Sequence, residues 1–155
     1  MNQTSDRKAG ILVVDDHPLI ILALSQLIND QSDMYCCGEA RDMANARKAF
    51  SACMPDLVLV DLGLPDGDGV ELIKEFFKTR PYTPILVISQ HDETSHAEKA
   101  LNAGARGYVK KGRSTEEIIA AIRSTLDGQM SVTLKGAIKF NDRTRGRSQM
   151  DKRSP

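Results

Sequence analysis

The stretch that decides the fold is residues 57–69, which read LVLVDLGLPDGDG. Its first four residues are all apolar, and Asp61 follows directly after them. Such a run is typical of a strand buried on both faces of a sheet. The Gly, Pro and Asp residues at 63–69 then predict a loop, and the apolar spacing at 70–77 predicts a helix.

The same alternation of apolar runs and helical patterns extends along the chain. Apolar runs predict further strands at residues 11–14, 35–40, 85–88 and 107–109, and helical patterns occur at 18–27, 42–52, 93–103 and 114–126. Ser114 and Glu117 form the S-x-x-E pattern of a helix capping box. Five strands alternating with five helices predict an α/β domain with a doubly wound parallel sheet. Ligands of such folds bind at the carboxyl ends of the strands.

The predicted strand ends carry a particular set of polar side chains: Asp15, Asp16, Asp61, Ser89 and Lys111. Three converging carboxylates repel one another unless a cation intervenes, and an all-oxygen cluster suits a hard cation such as Mg²⁺. An ammonium and a hydroxyl are suited to hold phosphate oxygens. An Asp carboxylate can itself act as a nucleophile and become an aspartyl phosphate.

Composition and charge limit the other classes of function. The 155 residues are 41% hydrophobic and 27% charged with a net charge of zero, so no global field that would recruit nucleic acid or membrane is expected. No apolar run approaches the roughly 20 residues needed to span a bilayer. The three cysteines, Cys36, Cys37 and Cys53, are expected to be reduced structural thiols of a cytoplasmic protein.

Five stretches together resemble the receiver domain of bacterial response regulators: ILVVDDHPLI, DLVLVDLGLPDGDGVELI, PILVISQHDE, NAGARGYVKKG and STEEIIAAIR. They occur in order over residues 10–128. The DDHP and AGARGY segments are most similar to regulators with a LuxR-type helix-turn-helix output domain. The resemblance implies a flavodoxin-like strand order of 2-1-3-4-5.

The resemblance also implies a role for each site residue. Asp61 would be the phosphoacceptor, and Mg²⁺ would be held by Asp15, Asp16, Asp61 and the backbone carbonyl of Gly63. Ser89 would be the switch hydroxyl and Tyr108 the switch aromatic, although Tyr108 also fits a plain core position. Lys111 would pair with the phosphoryl group, whereas Lys110 would be a solvated charge.

Some positions depart from the family pattern or have a plain interpretation. Gln90 is bulkier than the residue often found after the switch hydroxyl, and Gly112 stands where many relatives have Pro. Gly63 has no side chain over the site, so a water that attacks the phosphoryl group on Asp61 would be less hindered. His17 is expected at the surface at a helix start, and His91 on a surface loop.

The resemblance implies three segments: a flexible N-terminus at 1–9, the receiver at 10–128, and a basic linker or disordered tail at 129–155. Residues 131–155 hold seven Lys or Arg against two Asp or Glu. The tail is too short and polar for an output domain, so DNA would be bound only through a domain absent from this chain.

The expected partners are a histidine kinase or phosphotransfer protein and, after phosphorylation, a second copy of the chain. Two alternatives stay open. A stand-alone receiver would act by protein–protein interaction. An aspartate-nucleophile phosphatase would need an acid two residues after Asp61, where Gly63 stands, so catalysis beyond self-phosphorylation and self-dephosphorylation is not expected.

Overall fold

The computed structural model describes residues 7–90 and 94–133. The strands in these residues are β1 (Ala9–Val14), β2 (Met34–Ala40), β3 (Leu57–Val60), β4 (Gly63–Leu64), β5 (Gly67–Asp68), β6 (Ile85–Ser89), β7 (Gly107–Lys110) and β8 (Ser131–Thr133). The helices are α1 (Pro18–Asn29), α2 (Met43–Cys53), α3 (Gly69–Thr79), α4 (Thr94–Ala103) and α5 (Thr115–Leu126). Four features named above lie outside the described residues: His91, the predicted helix start at residue 93, the first six residues and the tail from residue 134.

The main sheet is parallel and has the strand order β2-β1-β3-β6-β7-β8. Its first five strands reproduce the predicted order, because β6 and β7 are the fourth and fifth of the predicted strands. The central strand β3 is buried at every position, as its apolar run predicts. The α/β fold with five helices is therefore confirmed.

The strand β8 is absent from the five-strand prediction and lies beyond the predicted domain boundary at residue 128. It pairs with β7, and the Ser131 N–H donates to the Arg106 carbonyl at 3.2 Å. Gly107 makes this approach possible, since a Cβ there would collide with the Ser131 carbonyl oxygen and lie 2.7 Å from a Leu86 methyl. The sheet therefore extends to residue 133.

The core is divided by the sheet into two aliphatic layers. One layer lies under α2, α3 and α4, and includes Phe50 stacked on Phe76 with ring centroids 3.9 Å apart. The other lies under α1 and α5. Burial on both faces explains why the strands read as continuous apolar runs rather than as alternating ones.

The short segment before β1 departs from the prediction of a flexible N-terminus at residues 1–9. The Arg7 guanidinium lies 2.9 Å from the Asp56 carboxylate, and the same carboxylate accepts the Gly10 N–H at 2.7 Å. Ala9 is already the first residue of β1. Residues 7–9 are thus held against the sheet by contacts that are distant in sequence.

Polar side chains cap the helices where the sequence predicts. Ser114 and Glu117 form the capping box of α5, with both reciprocal hydrogen bonds present. Asp42 accepts the Asn45 N–H at 2.7 Å and caps α2. Within the described residues, no helix combines the length and apolar character required to cross a lipid bilayer.

Candidate functional site

Backbone hydrogen bonds between strands fix the carboxyl ends that carry the predicted acids. The Asp15 N–H donates to the Ala40 carbonyl at 3.0 Å, and the Asp61 N–H donates to the Val14 carbonyl at 2.8 Å. The two acids follow the adjacent strands β1 and β3, so their side chains leave the sheet at the same edge. The strand pairing therefore converts a separation of 46 residues into a shared site.

The acidic cluster is formed by Asp15, Asp16, His17 and Asp61, whose potential ligand atoms all lie within 4.8 Å of one another. Asp15 is completely buried and Asp61 is 6% exposed. The Oδ2 of Asp15 and the Oδ1 of Asp16 are buried and have no well-aligned hydrogen bond from the described residues, although the Lys111 ammonium and the His17 ring lie near them. Clustered, buried carboxylates repel one another, and a hard cation would offset that repulsion. The residues present therefore fit a divalent metal ion.

Lys111 reaches into this cluster. Its side chain is 8% exposed, and its Nζ lies 2.8 Å from Oδ2 of Asp15 and 3.5 Å from Oδ2 of Asp61. The Lys111 N–H donates to the Ser89 carbonyl at 2.6 Å, which fixes the start of the loop after β7. The preceding residue, Lys110, is the last residue of β7 and is half-buried. Of these two lysines, Lys111 is thus the one in contact with the acids.

The surroundings of Asp61 make its ionisation less favourable than in water. Burial is the largest influence and raises the pKa of Asp61 above its ordinary value. Lys111 and the Gly63 N–H lower this pKa, while the charges of Asp15 and Asp16 raise it further. The net shift is upward, so the surroundings of Asp61 stabilise its ionised carboxylate less well than water does.

His17 contributes to the cluster in a way that its sequence position does not reveal. It lies at the N-cap position of α1 and is half-exposed, as predicted for a helix start. Its ring, however, turns back, so that Nδ1 lies 2.7 Å from Oδ1 of Asp15 and 3.0 Å from Oδ1 of Asp16. The only sequence signal for this contact is that His17 lies two residues after Asp15. The backbone N–H of His17 also donates to the Asp15 carboxylate, at 2.9 Å.

The predicted loop at 63–69 contains a small hairpin, in which β4 and β5 pair antiparallel. Its tip is attached to α2, because the Asp66 carboxylate accepts the Met43 N–H at 2.8 Å and the Ala44 N–H at 3.2 Å. These backbone donors lower the pKa of Asp66. At the base of the hairpin, the backbone N–H of Gly63 lowers the pKa of Asp61. A Cβ on Gly63 would lie 3.9 Å from Oδ2 of Asp61, which is an ordinary van der Waals contact with that carboxylate.

Ser89 and Tyr108 occupy the other side of the site. Ser89 is the last residue of β6 and is 2% exposed, while Tyr108 is fully buried in the core layer that includes α4. Gln90 is exposed. Gly112 has a φ of +93°, which suits glycine, and no atom lies within 4 Å of the position its Cβ would take.

These features define an α/β domain with an acidic, lysine-containing pocket at the carboxyl ends of its parallel strands. The chain belongs to the response regulator receiver domain family, whose model matches residues 11–123. The predicted family is therefore confirmed.

Relatives among characterised proteins and solved structures agree with this assignment. The response regulator protein VraR of Staphylococcus aureus is 30% identical over 140 residues, which cover 90% of this chain and 67% of that protein. A LuxR-family two-component response regulator from an Aurantimonas species is 30% identical, with a TM-score of 0.79 over 89% of this chain and 98% of that one. The receiver domain of the putative regulator NarL of Mycobacterium tuberculosis is 31% identical, with a TM-score of 0.75 over 79% of this chain and 99% of that one.

Proposed function

We propose that this receiver is switched by transfer of a phosphoryl group to Asp61. The observation that carries the proposal is the contact of Lys111 with both Asp15 and Asp61, in a pocket where three carboxylates cluster. A carboxylate nucleophile beside a fixed ammonium can accept a phosphoryl group, because the ammonium pairs with the oxygens that arrive.

In this proposal an Oδ of Asp61 attacks the phosphorus of the donor. The new O–P bond forms as the bond between phosphorus and the donor's leaving atom breaks, and the leaving group takes the electron pair. Lys111 then moves its contact from Asp61 to a phosphoryl oxygen, a change of partner that needs little movement from 3.5 Å. The N–H of Gly63 continues to orient the carboxyl group.

The proposed cofactor is Mg²⁺, held by the carboxylates of Asp15, Asp16 and Asp61 and by the Gly63 carbonyl. When bound, it would neutralise charge on the phosphoryl oxygens. His17 competes for the same oxygens of Asp15 and Asp16, so its ring would have to turn toward solvent when they bind a cation.

We further propose that Ser89 and Tyr108 read the modification. A phosphoryl oxygen on Asp61 offers the Ser89 hydroxyl a strong acceptor at the end of β6. Movement of Ser89 changes the space beside Tyr108, which lies on the adjacent strand β7. A local charge change would thereby alter the surface formed by α4 and β7.

The proposed phosphodonor is a sensor histidine kinase or a phosphotransfer protein in the cytoplasm. Similarity to a LuxR-family regulator supports an output that binds DNA through a further domain of the whole protein. We propose that dimerisation on phosphorylation links the modified Asp61 to DNA binding by the output domain. Sedimentation of the chain with and without a phosphoryl mimic would test whether it dimerises. Dimerisation of the whole protein without DNA binding would favour the stand-alone receiver.

The experiment is intact-protein mass spectrometry after incubation with Mg²⁺ and acetyl phosphate. Wild type should gain one phosphoryl group, and Asp61→Asn should gain none. Asp30→Asn is a matched control, since Asp30 is an exposed acid at the end of α1. Lys111→Gln should be modified far more slowly than Lys110→Gln.

An unmodified wild-type chain, under conditions in which a control receiver is modified, would contradict the proposal. Modification of Asp61→Asn at another residue would contradict the choice of acceptor. Omission of Mg²⁺ tests the cofactor separately, because equal modification with a chelator present would exclude its proposed role. Turnover of an external phosphoester by the chain would instead favour the phosphatase.

A further inference from the structure

Two of the three cysteines form a close pair that is not part of the acidic cluster. Cys37 lies in β2 and Cys53 is the last residue of α2. The Cys37 thiol donates to the Cys53 sulfur, and the two Sγ atoms are 2.9 Å apart. An S–S bond is about 2.05 Å long, so less than about 1 Å separates the thiols from bonding distance.

The bare backbone of Gly38 allows Cys53 to pack closely beside β2. Gly38 follows Cys37, and a Cβ at that position would lie 3.4 Å from the Cys53 sulfur and 3.7 Å from the Ala49 methyl. Both cysteines are partly buried rather than sealed in the core, so a small oxidant can reach them. Both pack against the core layer under α2.

Cys36 provides a natural control because it points to the opposite face of the sheet. Its thiol donates to the Gly38 carbonyl at 3.3 Å and lies 3.4 Å from the Ser25 hydroxyl oxygen. It packs against the core layer under α1 and α5. Cys36 and Cys37 pack against opposite core layers, so Cys36 cannot take the place of Cys37 beside Cys53 while β2 is intact.

The chemistry of the pair favours a reduced resting state. Burial raises the pKa of the Cys37 thiol above its ordinary value, and the hydrogen bond to Cys53 raises it further. The thiolate is the reactive form of cysteine. The Cys37 thiol is therefore a weak nucleophile at neutral pH, and the pair is expected to oxidise only when an oxidant is abundant.

We propose that Cys37 and Cys53 form a reversible disulfide when the protein meets hydrogen peroxide, joining the end of α2 to β2. One sulfur attacks a peroxide oxygen, the O–O bond breaks, and a sulfenic acid and water result. The second sulfur attacks the sulfenic sulfur, the S–S bond forms, and the S–O oxygen departs as a second water. Two thiols thus lose two electrons to the peroxide, and an external thiol reverses the reaction.

The position of the cross-link suggests its structural effect. The first turn of α2 is already attached to the β4–β5 hairpin through Asp66. A disulfide at Cys53 would fasten the other end of the same helix. Closing the segment between Cys37 and Cys53 restricts the unfolded chain, which predicts an increase in Tm on the order of several degrees.

The test is hydrogen peroxide treatment of the whole chain, followed by alkylation with iodoacetamide, intact mass and peptide mapping. Oxidised wild type should take up one alkyl group, at Cys36, and three after reduction with dithiothreitol. Cys36→Ser should keep the cross-link and take up none when oxidised. Cys37→Ser, Cys53→Ser and the corresponding Ala variants should not form it. Circular dichroism verifies that each variant is folded.

Three results would overturn the proposal. The first is a cross-link that includes Cys36. The second is oxidation of Cys37 and Cys53 to separate sulfinic acids without a bond between them. The third is that all three thiols of the peroxide-treated folded chain are still alkylated, at a peroxide concentration that oxidises the urea-unfolded chain. Folding would then protect the thiols rather than pair them. If the Cys37 and Cys53 variants fail to fold, the Cys36→Ser variant alone still tests the proposal, because it retains both Cys37 and Cys53.

Discussion

Asp61→Asn should make this receiver more stable in the absence of divalent cations, although it removes the proposed phosphoacceptor. The carboxylates of Asp15 and Asp16 lie within 4.8 Å of that of Asp61, and Lys111 lies 3.5 Å from it. With an effective dielectric constant of about 20, each acid repels Asp61 by about 3.5 kcal/mol and Lys111 attracts it by about 5 kcal/mol. The two repulsions and the one attraction sum to a net repulsion of about 2 kcal/mol on the Asp61 carboxylate.

Asparagine is nearly the same size as aspartate and can still accept the Gly63 N–H, so packing should change little. The cost of burying the Asp61 charge also destabilises the folded wild type, so it adds to the repulsion. Solvent around the partly exposed Asp16 weakens the repulsion between Asp16 and Asp61. We therefore expect the free energy of unfolding to increase by about 2 kcal/mol at pH 7. For a domain of this size, Tm should rise by about 5–10 °C.

The pH dependence gives a second readout with a defined sign. The Asp61 pKa is raised in the folded state, so its ionisation weakens folding at pH values above its ordinary value of 3.8. Below that value the carboxyl is protonated in both states, and the penalty disappears. The advantage of Asp61→Asn should thus be full near neutral pH and decline as the pH falls through the raised pKa.

The assay is urea unfolding followed by circular dichroism in a chelator, from pH 3.5 to pH 7.5, with Asp30→Asn as the exposed control. The control should change stability by less than about 0.5 kcal/mol. Adding Mg²⁺ should stabilise wild type more than the variant, because the ion binds only the folded acidic site. Equal or lower stability of Asp61→Asn at pH 7 without metal would refute the electrostatic reasoning.

Three further changes test other contacts. Lys111→Gln removes the ammonium that contacts the buried Asp15, so urea unfolding should show a free energy of unfolding lower by about 3 kcal/mol. The control Lys110→Gln should lower it by less than about 1 kcal/mol, and equal losses would contradict the assignment of Lys111 to the site. Gly107→Ala places a methyl group against the Ser131 carbonyl and should cost about 1–3 kcal/mol, with loss of hydrogen-exchange protection at Ser131; retained protection would argue against β8. Asp66→Ala removes the acceptor of two N–H groups of α2 and should cost about 1 kcal/mol by thermal melting, and an unchanged Tm would show that the hairpin contact is not stabilising.

Much of the fold could be predicted because its signals are local in sequence. The apolar run before Asp61 and the capping box at Ser114 each involve a few consecutive residues, and both appear as predicted. The acids at the strand ends also follow from the sequence, since parallel strands place their carboxyl ends at one edge. The choice of Lys111 over Lys110 came from resemblance to the family, because neighbouring lysines are equivalent until the loop after β7 is built.

Other features depended on contacts between distant residues. A three-residue strand such as β8 carries no periodicity of its own, and only the bare backbone of Gly107 lets it pair. The attachment of Asp66 to α2 and the reach of the His17 ring are likewise invisible in the sequence.

The sequence by itself determined the layered α/β architecture, the acids at the strand ends and the family, because apolar periodicity, caps and motifs are encoded residue by residue. The packing of separate elements determined which lysine contacts the acids, where the His17 ring lies and which cysteines meet. Those properties depend on distances of a few ångströms between separate elements, and such distances are set only when helices and strands pack together.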